Sequence, residues 1–239
     1  MSTTTSKPGV EPKPPDGNYR AYIGSARRYD VVAAMVFNLL TCLGLRQQHR
    51  LIDIGCGSLR VGRLLIPYLN PGNYVGVEPN EWLVKEGIDN EVGQDLLRIK
   101  SPTLIIDTSL ERLPKEVRAN FAFAQSIFSH CGMDLMRGWL KDVADHLTDD
   151  GIFLATFCPG PDDFQGNGWV YPKSVTYDPR TMYRVAQEFG FSWGMLDWAH
   201  PVQTWSVYWR GKTQTSLFAD GQVSWNRFLR SLPREAHSG

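Results

Sequence analysis

No apolar run in this sequence approaches the roughly 18 residues that a helix needs to cross a bilayer, because charge or proline interrupts each of the longest candidates. The N-terminus also lacks the apolar stretch of a secretory signal. The four cysteines, Cys42, Cys56, Cys131 and Cys158, stand far apart and form no CxxC pair. A reduced, cytoplasmic setting is expected, with no membrane partner. Neither sign of charge is in excess: Lys and Arg number 25, and so do Asp and Glu. No broad field therefore gathers a phosphate backbone, and nucleic acid is disfavoured as a partner.

What is present suits one domain over 18–239, since 239 residues that are 42% hydrophobic can fill one sizeable core. Residues 1–17, MSTTTSKPGVEPKPPDG, hold almost nothing apolar and are expected to form a disordered tail. The stretch RRYDVVAAMVFNLLTCLGL has helical apolar spacing that stops near Gly44, and reads as an N-terminal cap helix. Short β-rich runs at 51–54, 74–77, 103–106, 121–124 and 152–157 then alternate with helical stretches at 59–69, 81–100 and 133–147. Pro67 is placed to bend or end the first of these helices. Such alternation predicts an α/β fold, doubly wound, with a mostly parallel sheet and helices on both faces. A long loop at about 158–178 is rich in Gly and Pro yet carries Trp169, Tyr171 and Tyr177, a combination that favours function. A helix at 180–189 follows, then strands at 191–198 and 205–209 that could form an antiparallel edge pair.

The segment LIDIGCGSLRVGRLL carries the most information. A strand ends in Asp53, passes Gly55 and Gly57, and turns at Ser58 toward a helix, so the backbone can approach a ligand closely. A dinucleotide fingerprint requires a third glycine where Arg60 stands. Asp53 would also repel a pyrophosphate, whereas it suits a ligand bearing cations, such as the ammonium and sulfonium of S-adenosylmethionine. Glu78, ending the second strand in NYVGVEPN, can accept ribose hydroxyls in either cofactor. Asp107, in TLIIDTS, is positioned for an exocyclic adenine amine.

In order, DIGCG, VGVEP, IIDTS, FAFAQSIFSH and LTDDGIFLATF resemble the motif series of the class I S-adenosylmethionine methyltransferases, over roughly residues 19 to 210. The resemblance implies a Rossmann-like, seven-stranded sheet whose last strand inserts antiparallel. It implies cofactor contacts from Asp53, Gly55, Cys56 and Gly57, from Glu78 and Pro79, from Asp107 and Thr108, and from Gln125 and Ser126. It also implies a hairpin-like turn at 148–151 leading into the fifth strand. Two positions depart from the pattern: Ala122 stands where many members carry an acid, and Arg60 where many have a small residue. Arg60 could reach the methionine carboxylate.

Methyl transfer is an in-line displacement, so the protein must chiefly align the nucleophile and exclude water. A base is needed when the nucleophile arrives protonated, and two histidines are candidates. His130 follows the fourth strand, and His200 lies in DWAHPVQTW between the last two strands; either could instead be a structural brace. Tyr22, Trp169, Tyr171, Gln203 and Trp205 are candidate substrate residues, as aromatic walls with few polar groups describe a small-molecule pocket. Trp205 alternates with Val207 and Trp209 as a buried strand face would. Asp162 and Asp163 do not complete a metal site, and none is expected. The Asn/Asp-Pro-Pro-aromatic motif of DNA amino-methylating enzymes is absent, since that position reads AQSIFSH. The expected activity is methylation of a small molecule, at oxygen before nitrogen. A non-catalytic cofactor-binding module and a nicotinamide-dependent oxidoreductase are the alternatives.

Overall fold

The computed structural model describes Lys13, residues 17–211 and Ser224. The tail expected over 1–17 lies outside the described residues apart from Lys13 and Gly17, as does the domain's end beyond 211 apart from Ser224. In chain order the elements are α1 (Tyr19–Tyr22), α2 (Tyr29–Cys42), β1 (Leu51–Ile54), α3 (Gly62–Tyr68), β2 (Tyr74–Val77), α4 (Glu81–Gly87), α5 (Gln94–Lys100), β3 (Thr103–Ile105) and β4 (Ala119–Ala124). There follow α6 (Met133–His146), β5 (Leu147–Pro159), β6 (Thr176–Tyr177), α7 (Pro179–Glu188), β7 (Ser192–Leu196) and β8 (Thr204–Trp209).

The central strands are apolar at nearly every position because both faces of the sheet are covered. Ile52, Ile54, Val75, Val77, Ala122 and Ala124 face one core, packed with Met136, Leu140 and Val143 of α6 and Met182 and Val185 of α7. The alternate residues Leu51, Tyr74, Phe121 and Phe123 face the other, packed with Val36, Leu39 and Leu40 of α2 and Leu65 and Ile66 of α3. Strand order is β3-β2-β1-β4-β5-β8-β7, with β6 paired to the end of β5. All pairings on the main path are parallel except those of β8, which is antiparallel to β5 and β7. The last strand therefore inserts as the resemblance implied, and β7 alone of the expected edge pair takes the edge. The direction of winding reverses between β1 and β4, which opens a crevice at their C-terminal ends.

Most boundaries shift by a few residues, and three differences from the sequence reading are larger. The helix expected at 81–100 divides into α4, a π-turn at Ile88–Val92 and α5, and Gly93 makes the break at φ +85°. The helix expected from 59 starts at Gly62, since Leu59 lies at φ +57°. In place of a tight turn at 148–151, β5 runs directly from α6. Leu147 pairs with Ala119, and a register shift between Ala119 and Phe121 absorbs the irregularity. No helix among the described residues is long and apolar enough to cross a membrane.

The N-terminal cap is held down by one carboxylate. Glu91, on the π-turn and only 3% exposed, pairs with Arg20 at 2.6 Å and Arg63 at 3.3 Å, and it accepts from the Tyr19 hydroxyl at 2.8 Å. The Arg20 guanidinium also lies 4.6 Å over the Tyr29 ring, tying α1 to α2. Glu91→Gln leaves Arg20 without its counter-charge and Arg63 with only the exposed Asp30, and is expected to cost about 1–3 kcal/mol. Urea unfolding checks this, with proteolysis between residues 17 and 29 rising in the variant.

Candidate active site above the strand reversal

A cavity of about 390 Å³ sits above the C-terminal ends of β1, β2 and β4. One wall is the turn after β1. Gly55 (φ +70°) and Gly57 (φ +55°) both adopt left-handed torsions, and a Cβ on Gly55 would collide with Ile127. Glycine keeps this wall low enough for a ligand to lie against backbone.

Asp53 faces the cavity from the end of β1 and is 2% exposed. Its Oδ2 accepts from the Tyr74 hydroxyl at 2.7 Å, and among the described residues no cation pairs with it. Burial pushes the carboxyl up to about 7, against the Tyr74 hydrogen bond and the more distant Arg60 charge. Glu78, also buried, is held by the protein: Oε1 accepts from Asn80 N at 3.0 Å and Asn80 Nδ2 at 2.7 Å, and Oε2 from Gly57 N at 3.2 Å. Three of its roughly four acceptor positions are thus used. One hydroxyl can bind without rearrangement, and a second requires the Asn80 amide to swing away.

Arg60 lies behind the glycine turn, where it donates to Ile23 O at 3.3 Å and to Gln125 Oε1. Burial lowers its guanidinium to about 10, and both of these partners are uncharged. Gln125 donates to Ser126 Oγ at 2.7 Å. Ser126, at φ +61°, donates its backbone N–H to Thr156 Oγ1 at 2.7 Å and meets the Gln203 amide at 3.0 Å.

The opposite wall comes from the late loop, whose irregular part runs from 160 to 175 between β5 and β6. Its backbone folds onto the turn before α6: Val170 N donates to His130 O at 2.9 Å, Val175 N to Ser129 O at 2.9 Å, and Gly132 N to Gly168 O at 2.8 Å. These bonds press Trp169 and Tyr171 onto His130, with ring centroids 6.1 and 5.1 Å away. His130 Nδ1 lies 2.9 Å from Lys173 O. A carbonyl only accepts, so Nδ1 carries the proton and the neutral ring keeps its lone pair on Nε2. Burial lowers the His130 pKa, against the Lys173 contact, so the ring is neutral near pH 7. Nε2 has no hydrogen-bond partner among the described residues.

The cavity brings together Tyr22, Asp53, Gly55, Cys56, Gly57, Arg60, Glu78, Pro79, Thr108, Gln125, Ser126, His130, Trp169, Tyr171 and Gln203. Three expected residues lie elsewhere. Asp107 turns from the cavity to accept from Thr108 N at 2.8 Å and pair with Arg112 at 3.1 Å, so Thr108 is what that strand end presents. Trp205 is fully buried in the core beneath the sheet. His200 sits behind Gln125, 3.2 Å from its Nε2. Its Nδ1 accepts from Gln203 N at 2.9 Å and Val202 N at 3.3 Å, and burial with the Arg60 and Arg28 charges lowers it to about 4. It braces the Gln203 turn and does not line the cavity. The sequence reading missed Tyr74, Asn80, Ile127 and Trp139. Asn80 is the most findable of these, two residues past Glu78.

No protein-family model matches the chain, and no curated protein matches it. Solved structures do. Magnesium protoporphyrin IX methyltransferase (ChlM) from Synechocystis PCC 6803, with bound S-adenosylhomocysteine, is 15% identical at TM-score 0.56, over 80% of this chain and 90% of that one. The CcbJ methyltransferase from Streptomyces caelestis is 13% identical at TM-score 0.57, over 81% of this chain and 100% of that one. A S-adenosylmethionine-dependent methyltransferase from Clostridium acetobutylicum ATCC 824 is 12% identical at TM-score 0.54, over 80% and 94%. The chain has the class I methyltransferase fold. Within this methyltransferase fold the glycine turn, Asp53 and Glu78 stand at the strand ends where open α/β sheets bind ligands.

Asp53 has a stability consequence. A carboxyl raised from 3.8 to about 7 by burial favours the folded state while protonated, and that contribution is lost progressively as pH rises from about 4 to 7. Asp53→Asn keeps an acceptor for Tyr74 and removes the charge. Its stability relative to the parent is expected to grow over that window by an amount on the order of a few kcal/mol, then level off. Denaturant unfolding of both proteins across the range checks this; a difference independent of pH contradicts it.

Proposed function

We propose that the protein transfers a methyl group from S-adenosylmethionine to an oxygen atom of a small molecule. The observation that carries the proposal is Asp53, a buried carboxyl facing a glycine-walled cavity, which no cation among the described residues pairs with. A ligand bearing ammonium and sulfonium groups supplies the missing charge, whereas a pyrophosphate adds repulsion.

The residues fit such a ligand. The bare backbone at Gly55 and Gly57 admits it, Asp53 attracts its positive end, and Arg60 is within the same wall to meet its carboxylate. Glu78 would take a ribose hydroxyl, and Thr108, just past the third strand, would be available to the adenine. When bound, the cofactor supplies a methyl carbon activated by its sulfonium. The protein's own part is to orient the acceptor and exclude water, which the cap over Gly57 and the late loop do from two sides. His130 is the proposed base: a hydroxyl acceptor arrives protonated, and Nε2 holds a lone pair next to the aromatic wall. His200, tied at Nδ1, is a positioning residue for Gln203.

Calorimetry with S-adenosylhomocysteine, NAD and NADP tests the cofactor. Only the first is expected to bind, and Glu78→Ala is expected to weaken it severalfold or more. Because the ligand prefers ionised Asp53, its affinity should be flat above about pH 8 and fall below about pH 7, by up to about tenfold per unit. The Asp53→Asn variant should bind weakly with no such dependence.

A further inference from the structure

The charged side chains lining the cavity, among the described residues, are Asp53, Arg60 and Glu78. All three belong to the end of β1, the turn after it or the tip of β2, the end assigned above to the cofactor. The other end has none. It is framed by Tyr22, His130, Trp139, Trp169 and Tyr171, with Leu135 also lining the cavity and Ile127 bordering Gly55 between the two ends. Trp169 and Tyr171 are stacked, with centroids 6.2 Å apart and planes 23° apart. His130 stands edge-on to Tyr171, at 81°, and Tyr22 closes the ring, 5.8 Å from Tyr171 and 5.0 Å from Trp82. The Tyr171 hydroxyl already donates to Tyr22 O.

We propose that the acceptor is a neutral, flat aromatic hydroxyl compound, held against this aromatic frame with its O–H directed at His130 Nε2. The inference rests on the methyl-transfer reading and goes beyond it by naming the substrate class. Three physical arguments support it. A phosphate or carboxylate would leave water for a frame that carries no cation of its own, with Arg60, whose charge reaches Tyr171, already bonded to Ile23 O and Gln125, a large desolvation cost. A sugar carries many hydroxyls, and this end has few polar groups to receive them. An aromatic ring gains edge and offset contacts from the frame worth about 0.5–1.5 kcal/mol per pair beyond area burial.

The base sharpens the choice. A phenol releases its proton near pH 10, within reach of an imidazole acting as the bond forms, whereas an alkanol holds its proton more nearly as water does, at about 15.7. In the proposed step the acceptor oxygen forms its bond to the methyl carbon as the carbon–sulfur bond breaks. The sulfur keeps that electron pair as a neutral thioether, and the hydroxyl proton passes to His130 Nε2. The buried imidazolium then gives the proton to solvent, as its lowered pKa favours.

The test uses the full chain with S-adenosylmethionine and four acceptors: a naphthol, a naphthylamine, a naphthoate and glucose. Methyl ether from the naphthol is the expected sole product, with naphthol binding read separately by quenching of tryptophan fluorescence. His130→Gln should lower kcat by about 10²–10⁴-fold while naphthol affinity stays within about threefold. Trp169→Leu should instead raise KM by about tenfold. S-adenosylhomocysteine binding, measured on all three proteins, shows that each variant is folded. If the parent fails to bind it, the methyl-transfer reading itself falls. If it binds but naphthol is neither bound nor methylated, or naphthoate, naphthylamine or glucose is preferred, the acceptor class is overturned and methyl transfer survives.

Discussion

A carboxyl group buried at the end of β1 and bonded to one phenol sets the terms for the rest of this structure. Asp53 is fixed by strand register, opposite Gly76 on one side and Phe123 on the other. The Tyr74 hydroxyl satisfies one of its lone pairs, and burial keeps it half protonated near neutrality. Such a group costs stability whenever it ionises. A fold tolerates that where a bound cation later removes the cost, and the cavity beside Asp53 is walled by the two glycines that let such a ligand approach.

The cavity has two differently built ends. The end around the glycine turn, the proposed cofactor end, rests on strand tips and a turn whose backbone is bonded to β2 at Val77 O, so its geometry belongs to the sheet. The aromatic end, proposed for the acceptor, is assembled from parts distant in the chain: the cap, secured through Glu91, and the late loop, secured to residues 129–132. His130 braces the loop and is placed for the proposed base role. Its Nδ1 proton anchors the loop at Lys173 O, and that same bond leaves Nε2 as the basic nitrogen. The two structural possibilities for this histidine, brace and base, are therefore compatible.

The division between the ends also explains what could be read from sequence. The glycine turn, Asp53 and Glu78 were legible because their chemistry is local: a strand, a turn and an acid at a fixed offset. The sheet was legible because apolar runs alternate with helical spacing, and the antiparallel insertion of β8 followed from the family resemblance. Asp107 misled because its nearest cation, Arg112, is brought back by the turn between β3 and β4, which sequence spacing does not display. Trp205 already showed the alternation of a core strand with Val207 and Trp209, and that signal outweighs its position beside the late loops. Trp139 and Ile127 gave no signal, since a helix residue with a half-buried face and a loop isoleucine become wall residues only once α6 is docked. Glu91 was hidden for a similar reason: its partners lie 28 and 71 residues away.

The most direct test of this account is a crystal structure of the protein with S-adenosylhomocysteine. The ammonium is expected on the Asp53 side of the glycine turn, with a ribose hydroxyl on Glu78 and the thioether sulfur facing the His130 end. A ligand seated away from Asp53, or a cavity that takes up a pyrophosphate-bearing nucleotide in its place, would contradict it.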